Sequence, residues 1–142
     1  FASAQNPYSI LGRRAEDELI PGIRRHRMGL IPYWPLAGGV LTGKYRRGER
    51  PAPGTRMSAQ PEPDQQRMLS ERTFDRIEGL EAFAREHGHT LAELALAWLA
   101  SSDVVRTIIV GATSPEQVTA NAEGAHWRLG PDELAAVDSL RP

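Results

Sequence analysis

The sequence contains no cysteine. Disulfides, thiolate metal centres and cysteine nucleophiles are therefore excluded, while the compartment stays open, because absence of this residue suits any of them. No apolar run approaches the roughly 20 residues that a membrane-spanning helix needs. An excess of one charge is also missing: 17 Lys and Arg stand against 18 Asp and Glu, a formal net charge of -1. No basic surface points to nucleic acid, and no acidic tail points to a basic partner. Aromatic residues make up only 6% of the chain. The first residues, Phe1 to Gln5, carry neither an initiator methionine nor a charged segment followed by an apolar one. They read as the interior of a strand, as though the chain begins inside a fold.

What is present is ordinary for one globular domain: 142 residues, 40% hydrophobic and 25% charged. There is no internal repeat and no low-complexity tract. A coarse pass predicts strands at Phe1–Gln5, Gly29–Tyr33 and Thr107–Val110. Between and after them it predicts helices at Arg14–Arg27, Ser70–His87, Thr90–Leu99, Pro115–Ala122 and Pro131–Leu140. Apolar stripes support the helices: Leu19, Ile20 and Ile23, then Phe74, Ile77, Leu80, Phe83 and Ala84, then Leu91, Leu94, Ala95, Trp98 and Leu99. Thr90 with Glu93 forms a capping box, and Gly88 stops the preceding helix. Arg46–Gln66 reads as loop, dense in Pro, Gly and Arg. Strands alternating with helices imply parallel β/α units. Three such strands leave an edge with unpaired backbone groups, which predicts marginal stability in isolation and self-association through that edge.

Two stretches carry chemistry. Gly29–Tyr45 reads GLIPYWPLAGGVLTGKY. A short apolar strand ends at a proline, and small residues follow directly, where backbone N–H groups can approach an anion. A plain strand and turn, with the glycines serving only the turn, is the alternative. Val105–Asn121 repeats the logic: β-branched Thr107 to Val110 leads through Gly111-Ala112-Thr113 into a helix start. There Ser114 is the N-cap, Pro115 the first helical residue and Gln117 the partner that closes a capping box. Free N–H groups and the positive end of the helix dipole make this an anion site in physical terms. A well-capped helix without a ligand is the alternative.

The motifs together resemble one family. Tyr33-x-Pro35-Leu36-Ala37-Gly38-Gly39, continuing to Leu41-Thr42-Gly43-Lys44-Tyr45, is similar to the signature after the seventh strand of the aldo-keto reductase superfamily. The long bacterial type and the voltage-gated potassium-channel β-subunits are the variants it resembles. Ala4-Gln5-Asn6-x-Tyr8-Ser9-Ile10-Leu11 resembles the end of that family's sixth strand, and Gly111 to Val118 its eighth strand and following helix. The resemblance covers essentially the whole chain. It implies an α/β fold, the C-terminal part of a (β/α)8 TIM barrel comprising about its last three β/α units. A complete barrel needs about 250 residues. It implies NADPH as cofactor, a small carbonyl substrate reduced to an alcohol, and a cytoplasmic protein, with no part for nucleic acid or membrane. The family's catalytic tetrad of Asp, Tyr, Lys and His lies on earlier strands and loops, and no stretch here matches it. No catalytic residue is therefore assigned. Tyr8, Tyr33, Tyr45, Lys44 and the four histidines are not the tetrad, and His87 and His89 lack a third ligand for a metal. A binding module without chemistry, such as a regulatory nucleotide sensor like the channel β-subunits, is the other class that the same residues suit.

The resemblance also implies a cofactor site. Gln5 would hydrogen-bond the nicotinamide carboxamide, which needs both a donor and an acceptor. Tyr33 would stack on the nicotinamide ring. Trp34 stands where the family often has Ser or another aromatic. Pro35, Leu36, Ala37 and Gly38 would lay backbone N–H groups along the pyrophosphate. Lys44 and Arg56 would meet phosphate charge, Arg56 at the 2′-phosphate, a task suited to its bidentate fork. Gly111, Thr113 and Gln117 would contact the adenosine phosphate, and Asn121 the adenine. Ala120 replaces the family's usual Glu. Without the resemblance, Tyr33 reads as a core aromatic, Gln5 as a surface strand end, and Lys44 and Arg56 as part of a solvated basic loop with Arg46, Arg47 and Arg50.

Overall fold

Strands β1 (Ser3–Pro7) and β2 (Gly29–Tyr33) run parallel, in a register that sets Ser3 opposite Gly29 and Pro7 opposite Tyr33. The computed structural model describes residues 1–140; Arg141 and Pro142, the end of the expected 1–142 segment, lie outside them. Leu30 and Pro32 of β2 are buried, and Tyr33 at its C-terminal end is exposed. The first strand begins and ends two residues later than the sequence suggests, because the ladder follows its pairing with β2 rather than its own apolar content.

The expected helix at Arg14–Arg27 is shorter. A 3₁₀ turn at Arg14–Glu16 precedes α1, Leu19–Arg25. Pro21 explains the difference: in the first turn its missing N–H is harmless, but a helix begun at Arg14 would need that bond. Ile20 and Ile23 of the expected stripe are buried. A second correction falls in the Arg46–Gln66 loop. Its end forms α2, Glu62–Met68, with a proline in the first turn and no buried residue. A helix without an apolar stripe leaves no period in the sequence.

Helices α3 (Glu71–Glu86) and α4 (Leu91–Ala100) follow the sequence closely. The Ser70 hydroxyl accepts from the Thr73 N–H at 3.3 Å. Phe74, Ile77, Leu80 and Ala84 face inward. Gly88, at φ +77, supplies the left-handed residue that ends the helix run. In α4 the Thr90 N–H donates to Glu93 Oε2 at 2.7 Å and the Thr90 hydroxyl accepts from the Glu93 N–H at 3.2 Å. Seven of its residues, Leu91, Leu94 and Ala95 to Leu99, are buried. Helix α5 (Pro115–Gly124) packs on α4 through its C-terminal end, where Gly124 is its one buried residue. Helix α6 (Pro131–Ser139) starts on a Glu133 carboxylate that accepts from the Gly130 N–H at 2.7 Å.

The expected strand at Thr107–Val110 is not a regular one. The segment touches β2 through isolated parallel bridges, Leu30 to Val105 and Tyr33 to Ile109. Nor is it buried throughout: Thr107 and Ile109 are exposed, and only Ile108 is packed on the core. Its far edge has no neighbouring strand among the described residues, so only one side can form a ladder.

A polar cluster ties the two ends of the described chain together. Tyr8 donates its hydroxyl to Glu16 at 2.7 Å, and Arg13 bridges Glu16 at 2.6 Å and Asp138 of α6 at 2.5 Å. The Arg13 guanidinium lies 4.5 Å from the Trp98 ring centre. Burial and the Glu16 carboxylate together push the Tyr8 hydroxyl pKa far up, so it stays a donor. No helix among the described residues is long and apolar enough to cross a membrane.

Two glycines with opposite surroundings give a stability test. A Cβ at Gly124 would lie 2.9 Å from the Glu93 Cα, whereas one at Gly22 inside α1 meets nothing within 4 Å. Gly124→Ala should destabilise by about 1–3 kcal/mol through overpacking. Gly22→Ala should stabilise by about 0.4–1 kcal/mol through lost unfolded-state freedom. Urea melts of the two variants check both signs. The α4 cap yields a pH test. Burial works against the charged form of Glu93, yet the Thr90 N–H, the Thr90 hydroxyl and His89 hold its carboxyl below the ordinary value. Its contribution is complete above an unfolded pKa of about 4.3 and fades as pH falls through the lower folded value. Gln at this position keeps the acceptor and loses only the charge, so Glu93→Gln should cost about 0.3–1 kcal/mol at pH 7, and the difference from wild type should vanish in melts near pH 3.

Candidate functional site

The C-terminal exit of β2 is a run of unusual backbone. Trp34 has φ +65, Ala37 +48, Gly38 +70 and Gly39 +94. For Trp34 and Ala37 this left-handed region costs about 1–2 kcal/mol each, and such outliers concentrate where backbone must meet a ligand. The turn closes through the Ala37 N–H to the Trp34 carbonyl at 3.0 Å, with the Gly39 and Leu41 N–H groups on the Leu36 carbonyl at 2.9 and 3.2 Å. Among the described residues the N–H groups of Leu36 and Gly38 have no such partner. The expected donor row is thereby corrected. Pro35 has no N–H and that of Ala37 is taken, so Leu36 and Gly38 alone of the four offer donors.

Side chains sandwich this turn. The Trp34 indole nitrogen would lie 3.4 Å from a Cβ at Gly38, and Lys44 Cε and Nζ would each lie 2.9 Å from a Cβ at Gly39. Glycine at 39 is what allows the Lys44 ammonium to fold over the turn. Tyr33 and Trp34 are exposed, at 39% and 44%. Gln5 pairs with Ile31, so by strand alternation it shares one sheet face with Ile31 and Tyr33. Arg56 is exposed in the loop, next to buried Met57, whose N–H donates to the Tyr45 hydroxyl at 3.3 Å. That contact brings the Arg56 backbone up to the Lys44–Tyr45 end of the turn. Neither Lys44 nor Arg56 has a carboxylate partner among the described residues.

The second exit comes to the same end of the sheet through the Tyr33–Ile109 bridge. Gly111 is exposed, with nothing within 4 Å of a Cβ. The Ser114 hydroxyl accepts from the Gln117 N–H at 3.3 Å, as expected of the N-cap. The reciprocal half of the capping box differs. Gln117 Oε1 accepts from the Thr113 N–H at 2.8 Å and its hydroxyl at 3.1 Å, one residue before the cap. The Gln117 amide therefore stiffens the turn and keeps its own NH2 group as the outward donor. The chain's own carboxylate also uses this helix start. The Ser114 hydroxyl and the Glu116 backbone N–H hold the Glu116 carboxyl below its ordinary range. Asn121, half-buried one turn on, borders a cleft of about 400 Å³ with Ile108, Val110, Val118 and Arg128. A larger groove of about 1220 Å³ runs along β1, α1 and the start of α3; of the candidate residues it touches only Trp34 and Ala37.

One residue escaped the sequence reading. Arg47, taken as part of a solvated loop, bonds Glu71, Asp75 at 2.7 Å and Glu78 at 3.0 Å, all on α3. Glu78, then Asp75 and Glu71, raise its guanidinium pKa. The acids at spacings of four and three on one helix face were the available signal. Two of the histidines stack on aromatic neighbours: His87 on Phe83 at 4.2 Å, and His89 on Trp127 at 4.0 Å.

The two strand exits lie at the same end of a parallel sheet in an α/β protein, and the first of them carries two open N–H groups beside the Lys44 ammonium. The sequence matches the aldo/keto reductase family over residues 1–142, and the chain belongs to that family. It is 37% identical over 118 residues to a probable voltage-gated potassium channel subunit beta of Oryza sativa subsp. japonica, covering 82% of this chain and 36% of that protein. It is 34% identical over 140 residues to Protein tas of Escherichia coli K12, covering 99% and 40%. It is 30% identical over 139 residues to the L-glyceraldehyde 3-phosphate reductase of the same organism, covering 94% and 40%. The chain thus spans about two fifths of the length of these curated relatives.

Arg47 sets up a test of the loop it anchors. Arg47→Ala should leave the thermal melt nearly unchanged while trypsin cleaves after Arg56 several-fold faster. Time-resolved digestion followed by mass spectrometry reads this directly, and high salt should mimic the variant, because the pairs are partly exposed.

Proposed function

We propose that residues 1–142 are a C-terminal segment, about the last three β/α units, of a (β/α)8 barrel. In this reading the complete protein is a cytoplasmic oxidoreductase that uses NADPH to reduce a small aldehyde or ketone to its alcohol. The observation that carries the reading is the pair of exits, Trp34–Gly39 and Gly111–Gln117, joined at one sheet end by the Tyr33–Ile109 bridge. Their chemistry fits a dinucleotide: two open N–H groups and Lys44 suit a pyrophosphate, and the exposed Tyr33 suits a flat ring.

The bound nicotinamide would supply the two-electron reductant. Tyr33 would fix which face of that ring is presented. Gln5 would hold its carboxamide with one donor and one acceptor. Leu36 and Gly38, within the Trp34–Gly38 turn, would donate to the pyrophosphate under the Lys44 ammonium. Arg56 would clasp the 2′-phosphate, with Gly111, Thr113 and Gln117 around the adenosine phosphate and Asn121 on adenine. We assign no catalytic residue within the segment; proton delivery to the carbonyl oxygen falls to residues outside it. Self-association through the open edge of β1 is part of the same reading for the isolated segment.

A second reading has its own support. The relative that is 37% identical bears the name of a channel β-subunit, which favours a nicotinamide-nucleotide-binding module with a regulatory rather than a catalytic task. NADPH oxidation by the complete protein across an aldehyde panel separates the two.

The cofactor assignment makes a sharper prediction. A charge-assisted contact contributes about 1.5–3 kcal/mol. NADPH should bind the complete protein more tightly than NADH, and Arg56→Ala should erode that preference about tenfold or more while leaving NADH affinity nearly unchanged. Fluorescence titration of both cofactors against both proteins gives the answer. Equal losses for the two cofactors would remove Arg56 from the 2′-phosphate.

A further inference from the structure

The segment beside β2 is out of step by one residue. Odd-numbered residues of β2 bond toward β1: the Gly29 N–H donates to Ala2 at 3.0 Å, and the Tyr33 carbonyl accepts from Tyr8 at 3.2 Å. Even-numbered residues face the other way. The Leu30 N–H donates to the Val104 carbonyl at 2.7 Å, and the Leu30 carbonyl accepts from the Arg106 N–H at 3.0 Å. An unbroken parallel ladder would continue with residue 32 donating to Arg106 and accepting from Ile108. Residue 32 is proline and has no proton to donate. Its carbonyl accepts instead from Ile109 at 2.9 Å. From Leu30–Val105 to Tyr33–Ile109, β2 advances three residues while its neighbour advances four. This is a β-bulge opposite the missing donor.

At the centre of the slip the side chains do not impose it. Ile108 packs on the core and Ile109 lies 46% exposed on the Tyr33 side, yet the two are the same residue type. Shifting the register by one would exchange one isoleucine for the other at no cost in core volume, while also turning exposed Thr107 inward in place of half-buried Val110. At the isoleucine pair the pattern that ordinarily fixes a register is mute, and there the missing donor bears on the choice.

We propose that Pro32 is a positioning residue: by withholding its N–H it sets the register of residues 106–110 and so the height of the Gly111–Gln117 exit beside Tyr33. With the bulge, Gly111 follows the Tyr33 level by two residues. Without it, Gly111 would follow by three, about 3.3 Å farther along the strand, and the exit would rotate to the other face. This rests on the cofactor reading above for its consequence, but not for the register itself.

The test uses hydrogen–deuterium exchange at single-amide resolution on the complete protein, for wild type, Pro32→Ala and Pro32→Val. In wild type the Ile109 amide should exchange at least tenfold more slowly than that of Ile108. Either substitution restores a donor at residue 32, and the slow amide should then move to Ile108. In parallel, NADPH affinity should fall at least tenfold in the variants. A folded variant that keeps Ile109 as the slow amide overturns the proposal. So does loss of cooperative melting in both variants, since a register shift preserves the fold. Amides that exchange places with NADPH affinity unchanged overturn the positioning role. A wild type with the Ile109 pattern that binds no NADPH leaves the register role supported and overturns the cofactor reading instead.

Discussion

Burial of α4 is the constraint on which the other elements depend. Leu94, Ala95, Ala97 and Leu99 are fully shielded, and Leu91, Leu96 and Trp98 nearly so. A helix apolar on almost every side must be covered on every side. Here α3, α5 and the Ala37–Thr42 turn pack against it, and Leu30 of β2 belongs to the same buried cluster. Each large side chain withdrawn from water contributes about 1.5–3 kcal/mol, so this one helix accounts for much of the driving force in a small core. The Ala37–Thr42 turn is part of that cover, with Ala37, Val40 and Leu41 buried. The strained exit of β2 is thus held from beneath by the core while its outer side stays open.

Around the core the polar groups act as ties rather than as sources of stability. The Tyr8, Glu16, Arg13 and Asp138 cluster joins the β1 exit to α6 across Trp98. Arg47 joins the loop after the β2 exit to three carboxylates of α3. The exposed Arg47 pairs contribute little individually; their value is geometric. Both ties fix segments that leave the sheet at the end where the candidate site lies.

The site itself follows from the parallel arrangement. Parallel strands deliver all their exits to one end, and helices that begin there aim N–H groups at it. At the α5 start the Ser114 hydroxyl and the Glu116 backbone N–H already hold the Glu116 carboxyl below its ordinary range.

Much of this was legible in the residues. The α3 and α4 stripes, the Thr90–Glu93 cap, the Gly88 stop, β2 and both glycine exits are each written in local spacing, because caps and periodicity act within one turn. The family was legible too, from motifs in order along the chain. What the sequence could not show depended on neighbours. Ile108 and Ile109 are the same residue type, and their different places, one in the core and the other beside Tyr33, depend on contacts with the adjacent strand, where Pro32 has no N–H to donate. Nothing local removes the Ala37 N–H from the donor row or turns the Gln117 amide toward Thr113. Arg47 looked solvated until a helix more than twenty residues away presented its acids. Local chemistry settled where β2, α3 and α4 form and stop. Register, donor availability and ion pairing were decided by tertiary structure, because each is a contact between groups distant in the chain or a choice among competing partners.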